Sequence, residues 1–355
     1  MKIFLVGGYV RDEILGIESH EKDWVVIGGT EQDMLDKGFI SVGKSFPVFL
    51  HPVSKEEYAL ARKEFKTDPG HKGFRFDVNS AITIEEDLYR RDLTVNAIAK
   101  SETGELSDPY GGLKDLENRV LRHISPAFKD DPLRVYRVAR FYTYLNKFNF
   151  EIHSETIELM QEISKSDEIN NLSFERIWME TQKCLAMENS HLFFEVLKKV
   201  GALYPFSTDL DKFHKNINTL KNFDKNKISA EEKWAILSFD LQLNKDTKIP
   251  NSYKKMSKTF IEFSKTLRGK ISSKLILEAL MKTDSFRNKE NAKKIFNLYN
   301  EFFKIDPKLK NLNLEKLLEK LIKIKPKKIS NKNSKEIKLE IYEKRIALIK
   351  EVIGE

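Results

Sequence analysis

A chain of 355 residues, 40% hydrophobic and 33% charged, is too long for one ordinary core and too apolar for a disordered polymer, so two or three packed units are expected. Its net charge of +8 favours an anionic partner, nucleic acid first, although a lysine-rich solvated surface gives the same sum. The single cysteine, Cys184, excludes an internal disulfide framework and a thiolate zinc site.

The apolar start, Met1 to Val6, runs at once into Gly7-Gly8, too short for a signal segment, and no run approaches the ~20 apolar residues of a membrane helix. A cytoplasmic protein without a membrane segment is expected. A short strand before Gly7-Gly8 and a helical pattern carrying Arg11 after it make a turn whose backbone can approach a phosphate, with positive charge from Arg11 and the helix start. Paired glycines also serve simply as turns. Glu21 and Asp23 directly precede the β-rich run Trp24 to Ile27. At a spacing of two on an extended chain both carboxylates point to one side, which suits magnesium; a solvated strand edge is the plainer reading.

Further β-rich runs occupy 39–42, 47–50 and 58–61, separated by turn residues, so the first third is an α/β or α+β unit with a small sheet. Residues 66–79 are rich in turn formers and are expected to be a mobile loop. Arg90 and Arg91 can clamp a triphosphate or pair with Glu85, Glu86 or Asp87. From Asp131 onward the pattern is helical. Pro132 after acidic residues marks a helix start. At ~100° per residue Val135, Val138, Ala139 and Tyr142 share one face, and Arg134, Arg137 and Arg140 another. Three arginines opposite a buried face make sense against phosphates or bases. A second loop is expected at 323–335, with six lysines and no acid, either solvated or tracking phosphates. His20, His51, His71, His123 and His153 lack ligand spacing and are expected at the surface or in caps. Trp24, Trp178 and Trp234 lie in apolar patterns and are expected in cores.

Together the segments LVGGYVRD, EKDWVVIG, VGKSFPVFLHP, EEYALARKE, EDLYRRDLTVNAIA, DPYGGLKDLENRVLRHI and DDPLRVYRVARF resemble, in order and spacing, the bacterial class II CCA-adding enzymes. These are tRNA nucleotidyltransferases of the DNA-polymerase-β-like superfamily. The similarity is dense over residues 1–205 and faint afterwards. It implies a nucleotidyltransferase head over 1–122, an all-helical neck with a base-reading helix over 123–205, and a helical body and tail over 206–355 that grips tRNA. The implied reaction adds C, C and A to the 3′ end of tRNA from CTP and ATP without a template, releasing pyrophosphate. A monomer is favoured.

The resemblance also implies roles. Gly8 and Arg11 hold the triphosphate, Glu21 and Asp23 are the catalytic Mg2+ ligands, and Arg91, Arg137 and Arg140 contact the nucleotide. Asp131 and Arg134 fill the base-reading pair, with Asp130 in place of a preceding Glu. A carboxylate accepts from the exocyclic amine of C or A while a guanidinium donates to the adjacent ring nitrogen. G and U present the opposite polarity and would leave groups unpaired at ~1–3 kcal/mol each. Asp131 is also the natural cap of its helix, so two tasks compete for its oxygens. The superfamily commonly adds a third carboxylate from a neighbouring strand, and Glu57 and Glu64 both remain open.

Two departures stand out. The metal pair is normally Asp-x-Asp, and Glu21 takes the first place; activity with altered metal geometry is expected. Relatives of this subtype usually carry a carboxyl-terminal HD phosphohydrolase domain, but Phe239 stands where its histidine would be and no histidine follows His214. A degenerate helical remnant without hydrolase activity is expected. The alternatives are a poly(A) polymerase of the same family, a CC-only or A-only enzyme, and an inactive RNA-binding scaffold. The first is disfavoured by missing basic extensions, a CC-only enzyme by the intact segment at 66–79. The scaffold is motivated by Glu21 and the altered carboxyl-terminal half.

Overall fold

The computed structural model describes the chain apart from residues 43–46, 67–73, 78–79, 224–227, 246, 268–270, 304–308, 310–311 and 327–332. It divides into two compact units, Met1–Pro205 and Phe206–Glu355.

In the first unit strands β1 (Lys2–Val6), β2 (Asp23–Ile27), β3 (Ile40–Ser41), β4 (Val48–Leu50) and β5 (Glu57–Leu60) join two strands from later in the chain. The hairpin β6 (Lys63–Lys66) and β7 (Phe74–Asp77) stands apart, and β8 (Ala99–Ser101) and β9 (Leu106–Ser107) complete a seven-stranded sheet of order β3-β4-β5-β2-β1-β8-β9. Alternation along β2 sends Val25 to one core with Val6, Ala97 and Ala99, and Val26 to the other with Met34, Phe49 and Leu60. All pairings are antiparallel except β2 with β5.

Helices α1 (Gly8–Ile14), α2 (Glu31–Asp36), α3 (Ile84–Tyr89) and α4 (Gly112–Glu117) pack around this sheet. Thr30 with Asp33 and Thr83 with Glu86 close capping boxes at α2 and α3, satisfying N–H groups that a helix start leaves open. A Cβ on Gly112 would lie 2.3 Å from the carbonyl oxygen of Thr94, so only glycine lets α4 press on the turn Thr94–Asn96. Short strands β10 (Val120–Leu121) and β11 (Glu151–Ile152) pair in parallel, and helices α5 (Leu133–Leu145), α6 (Ser154–Lys165), α7 (Phe174–Leu185) and α8 (His191–Val200) follow. Val135, Tyr136, Val138, Ala139 and Leu145 of α5 are fully buried, each large aliphatic worth about 1.5–3 kcal/mol of burial. The Tyr136 hydroxyl donates to the Ala202 carbonyl at 3.1 Å.

The second unit consists, among the described residues, of α9 (Leu210–Phe223), α10 (Ala230–Leu237), α11 (Asn251–Thr266), α12 (Ser273–Lys282), α13 (Lys289–Phe303), α14 (Leu314–Ile322) and α15 (Ser334–Ile353). Phe239, where the resemblance puts an HD histidine, is 6% exposed and packs its ring on Phe260, Phe302 and Phe303 at 4.7–5.6 Å. No described helix is long and apolar enough to cross a membrane.

Several sequence expectations need correction. Residues 63–66 and 74–77 form a hairpin rather than a loop, because aromatic flanks surround the Pro and Gly; 67–73 and 78–79 lie outside the described residues. In the basic stretch 323–335, residues 327–332 are likewise outside them. His123 is a half-buried network member, its Nδ1 meeting Thr156 Oγ1 at 2.8 Å; His153 does stand at the N-cap position of α6, although its half-buried ring meets Arg122 through Nε2 at 2.8 Å and does not itself cap the helix. His51 does cap a turn, accepting from the Ser54 N–H at 3.1 Å, whereas His71 lies outside the described residues. Trp178 and Trp234 are buried, while Trp24 is half-buried and stacks on Tyr58 at 5.5 Å.

Candidate active site

Strand register assembles one end of the site. Antiparallel β1 and β2 set Val6 opposite Asp23, so the Gly7-Gly8 turn leaves the sheet beside that carboxylate. Parallel β2 and β5 set Glu57 on the other side of Asp23, and paired residues of neighbouring strands face the same way. Glu64, in the separate hairpin β6–β7, has Phe76 as its register partner.

Gly7 adopts φ 76° and ψ −139°, near a region essentially reserved for glycine. A Cβ there would lie 3.2 Å from Arg91 Nη1 and 3.8 Å from Asp23 Oδ2. The turn thus brings backbone, cation and carboxylate together. Gly7→Ala is expected to lower stability by about 1–3 kcal/mol and to displace Arg91, read as a drop in thermal midpoint together with weaker nucleotide binding. Unchanged values would show that neither the strain nor the close approach matters.

All nine residues singled out in the sequence, Gly8, Arg11, Glu21, Asp23, Arg91, Asp131, Arg134, Arg137 and Arg140, line one cleft of about 800 Å³. Glu57 is not among its lining residues. Loss of water raises the Asp23 carboxyl above its ordinary pKa; Glu21 adds to the rise, and Arg91 and Arg137 oppose it. Two like charges share this place, and it invites a cation.

The arginines are held before any ligand arrives. Arg90 and Arg91 both pair with Asp87, at 2.8 and 3.4 Å, which is the structural reading of these arginines, and both also line the cleft. Burial alone would raise Asp87, but the two guanidinium groups outweigh it and hold its carboxyl below the usual range. Arg11, 3% exposed, donates from Nε to Asp12 at 2.9 Å and from Nη1 to Asn96 at 2.6 Å. Arg137 donates to Asp92 at 2.7 Å. Burial works against ionised Asp92, yet Arg137 and the amide of Asn96 overcome it and keep the carboxyl far below its ordinary value. Arg140 pairs with buried Glu180, and the guanidinium groups of Arg11, Arg137 and Arg140 lie 4.2–5.4 Å from the Phe141 ring centre.

The base-reading candidates sit where α5 begins. Asp131 Oδ1 accepts from the Leu133 N–H at 3.1 Å, and Oδ2 pairs with Arg176 at 3.0 Å. Arg134, 8% exposed, donates to the carbonyls of Ala127, at 2.9 Å, and Arg90. Asp12, Asp92, Asn96, Arg176 and Glu180 are participants that sequence reasoning misses. Arg176 and Glu180 are four apart in an amphipathic helix; that spacing is the one signal that could have raised them.

The family described as "Poly A polymerase head domain" matches residues 3–122, and "Probable RNA and SrmB- binding site of polymerase A" matches 149–213. A "Multifunctional CCA protein" of Haemophilus influenzae is 52% identical over 222 residues, covering 62% of this chain and 53% of that protein. A "CCA-adding enzyme" of Alteromonas mediterranea is 49% identical over 264 residues, covering 74% and 66%. The chain belongs to the family of bacterial CCA-adding enzymes. It spans about half the length of the Haemophilus CCA protein. The fold extends further than the sequence likeness: a solved CCA-adding enzyme in apo form superposes with TM-score 0.69 at 20% identity, covering 100% of this chain and 88% of that one. The Thermotoga maritima CCA-adding enzyme complexed with tRNA gives 0.65 at 19% identity, with the same coverage. A nucleotidyltransferase head followed by helices is therefore the fold of this CCA-family chain.

Proposed function

We propose that the chain adds C, C and A to the 3′ end of tRNA from CTP and ATP, releasing pyrophosphate. One observation carries this reading: the acidic pair, the phosphate-side arginines and the pair Asp131 and Arg134 line a single cleft. Glu21 and Asp23 would hold Mg2+; no three His, Cys, Asp or Glu converge as a cage among the described residues, and magnesium typically takes one or two carboxylates and completes its shell with water and phosphate. The raised Asp23 carboxyl fits that role, since a cation would offset both the loss of water and the nearby Glu21 that disfavour its charge. When bound there, Mg2+ would lower the pKa of the attacking hydroxyl and offset phosphate charge.

The chain's own groups do the rest. Arg91, Arg137 and Arg140 neutralise the triphosphate and the departing pyrophosphate. The tRNA 3′-hydroxyl attacks the α-phosphate, and the bond between that phosphorus and the α,β-bridging oxygen breaks. Asp131 accepts from the exocyclic amine of C or A, and Arg134 donates to the neighbouring ring nitrogen. In the second unit, Phe239 is packed among phenylalanines and offers no metal ligand where an HD histidine would stand; the helical body would grip the RNA.

The test is incubation of the pure protein with magnesium and tRNA ending at the discriminator base. CTP alone should add two residues, ATP alone none, and both together CCA. A long A tail from ATP alone would make it a poly(A) polymerase. Bound tRNA with no incorporation would make it a scaffold. Of the two acids left open as a third carboxylate, Glu57 has the register beside Asp23, but it does not line the cleft and no third acidic group converges with Glu21 and Asp23 among the described residues. Glu57→Gln is therefore expected to leave kcat and the KM for CTP within about 2-fold of wild type, and a loss of kcat of about 10-fold, the scale of ~1.4 kcal/mol of transition-state stabilisation, would put Glu57 at the metal.

A further inference from the structure

Helix α7 stands behind the reading end of α5. Arg176 and Glu180, one turn apart, each hold a polar residue of the cleft: Arg176 holds Asp131 at 3.0 Å, and Glu180 holds Arg140, with Arg137 at 3.9 Å. Arg176 also lines the cleft. A carboxylate tethered at one oxygen still turns about its Cβ–Cγ bond. Asp131 is tethered at both, Oδ1 by the Leu133 N–H and Oδ2 by Arg176. Two oxygens offer about four acceptor positions, so free lone pairs remain, now in a fixed plane.

Arg176 meets Asp131 through one nitrogen, without the bidentate fork that arginine–carboxylate pairs frequently make. Only Nη2 meets Asp131, and Nη1 is buried with no partner among the described residues. A buried unpaired donor is costly, and that cost fits a side chain set by the demands of the cleft. We infer that Arg176 is a positioning residue for nucleotide selection, fixing the Asp131 carboxylate in the plane in which it accepts from the exocyclic amine of an incoming C or A. This inference rests on the base-reading role of Asp131 given above. A helix outside the α5 motif then sets how strictly the motif discriminates.

The experiment compares Arg176→Ala, Arg176→Lys, Asp131→Ala and the double variant Asp131→Ala/Arg176→Ala. The readouts are the CTP-to-UTP ratio of kcat/KM on tRNA lacking CCA, tRNA binding and thermal midpoint. Arg176→Ala should lower the ratio roughly 10-fold, as expected for one lost orienting hydrogen bond to a charged group, with tRNA binding kept. Arg176→Lys should recover part of it, since a point charge holds the carboxylate without the planar fork. The double variant should be no less selective than Asp131→Ala alone, because Arg176 acts through Asp131. Intact selectivity in Arg176→Ala, or losses that multiply in the double variant, would overturn the inference. Should Arg176→Ala fail to fold, the Arg176→Lys ratio decides in its place, and an unchanged ratio there sinks the idea. If the wild-type chain incorporates nothing, the activity reading has failed. Arg176 is then judged by the CTP-to-UTP ratio of equilibrium dissociation constants in wild type and Arg176→Lys; no wild-type preference, or one that Arg176→Lys leaves unchanged, rejects it.

Discussion

Asp23→Asn should reduce nucleotide incorporation by on the order of 10³-fold while the protein keeps its fold. The amide nearly matches the carboxylate in shape but is a poor ligand for a hard divalent cation, and metal stabilisation of developing charge is worth several kcal/mol. At about 1.4 kcal/mol per factor of ten, that loss reaches the stated scale. Stability should move the other way. Removal from water and the nearby Glu21 raise the folded-state pKa of Asp23, so its ionised form is disfavoured in the native state. Its charge therefore costs stability in full above the folded pKa; the cost shrinks as pH falls through the folded pKa and is gone below the ordinary carboxylate value. Without magnesium, Asp23→Asn should match or exceed the wild-type thermal midpoint at pH 7–8, a gap that closes toward pH 3. An amide variant that still incorporates CTP at the wild-type rate refutes the metal-ligand role, and one less stable than wild type at neutral pH refutes the raised Asp23 carboxyl.

The second large effect is on choice rather than rate. Arg134→Ala is expected to narrow the preference for CTP over UTP by about 10- to 100-fold, the equivalent of ~1–3 kcal/mol for a buried base contact. tRNA affinity should change little. Arg134 also ties the carbonyls of Ala127 and Arg90 to the start of α5, so the variant should melt earlier, and assays belong well below its midpoint. Competition between CTP and UTP on one tRNA reads the outcome directly. A preference that survives intact means Arg134 is structural only.

How far the sequence discloses this molecule depends on whether a residue's role is set locally. The Gly7-Gly8 turn and the pair Glu21 and Asp23 are legible because glycine and closely spaced carboxylates announce backbone approach and charge crowding by themselves. Their meeting follows from one strand pairing, Val6 with Asp23. Arg134, Arg137 and Arg140 are legible as a face because helical periodicity puts them there. Their restraint is not. Asp92 and Glu180 lie 45 and 40 residues from the arginines they hold, and nothing local in an Asp or a Glu names such a partner. The difference between Glu57 and Glu64 likewise lies in register, with β5 inside the main sheet and β6 in a separate two-stranded pair. The hairpin itself is hidden by Pro69, Gly70 and Gly73 between its strands, which outweigh the β-forming flanks in any local count.

The anchoring of the arginines by Asp87, Asp12, Asp92 and Glu180 bears on the thermodynamics of nucleotide capture. A loose arginine surrenders up to about 2 kcal/mol of rotamer freedom when it clasps a phosphate. Here that loss has been taken during folding. Capture should carry a small ordering entropy for its charge, and calorimetry with a non-hydrolysable CTP should find favourable enthalpy little offset by side-chain freezing.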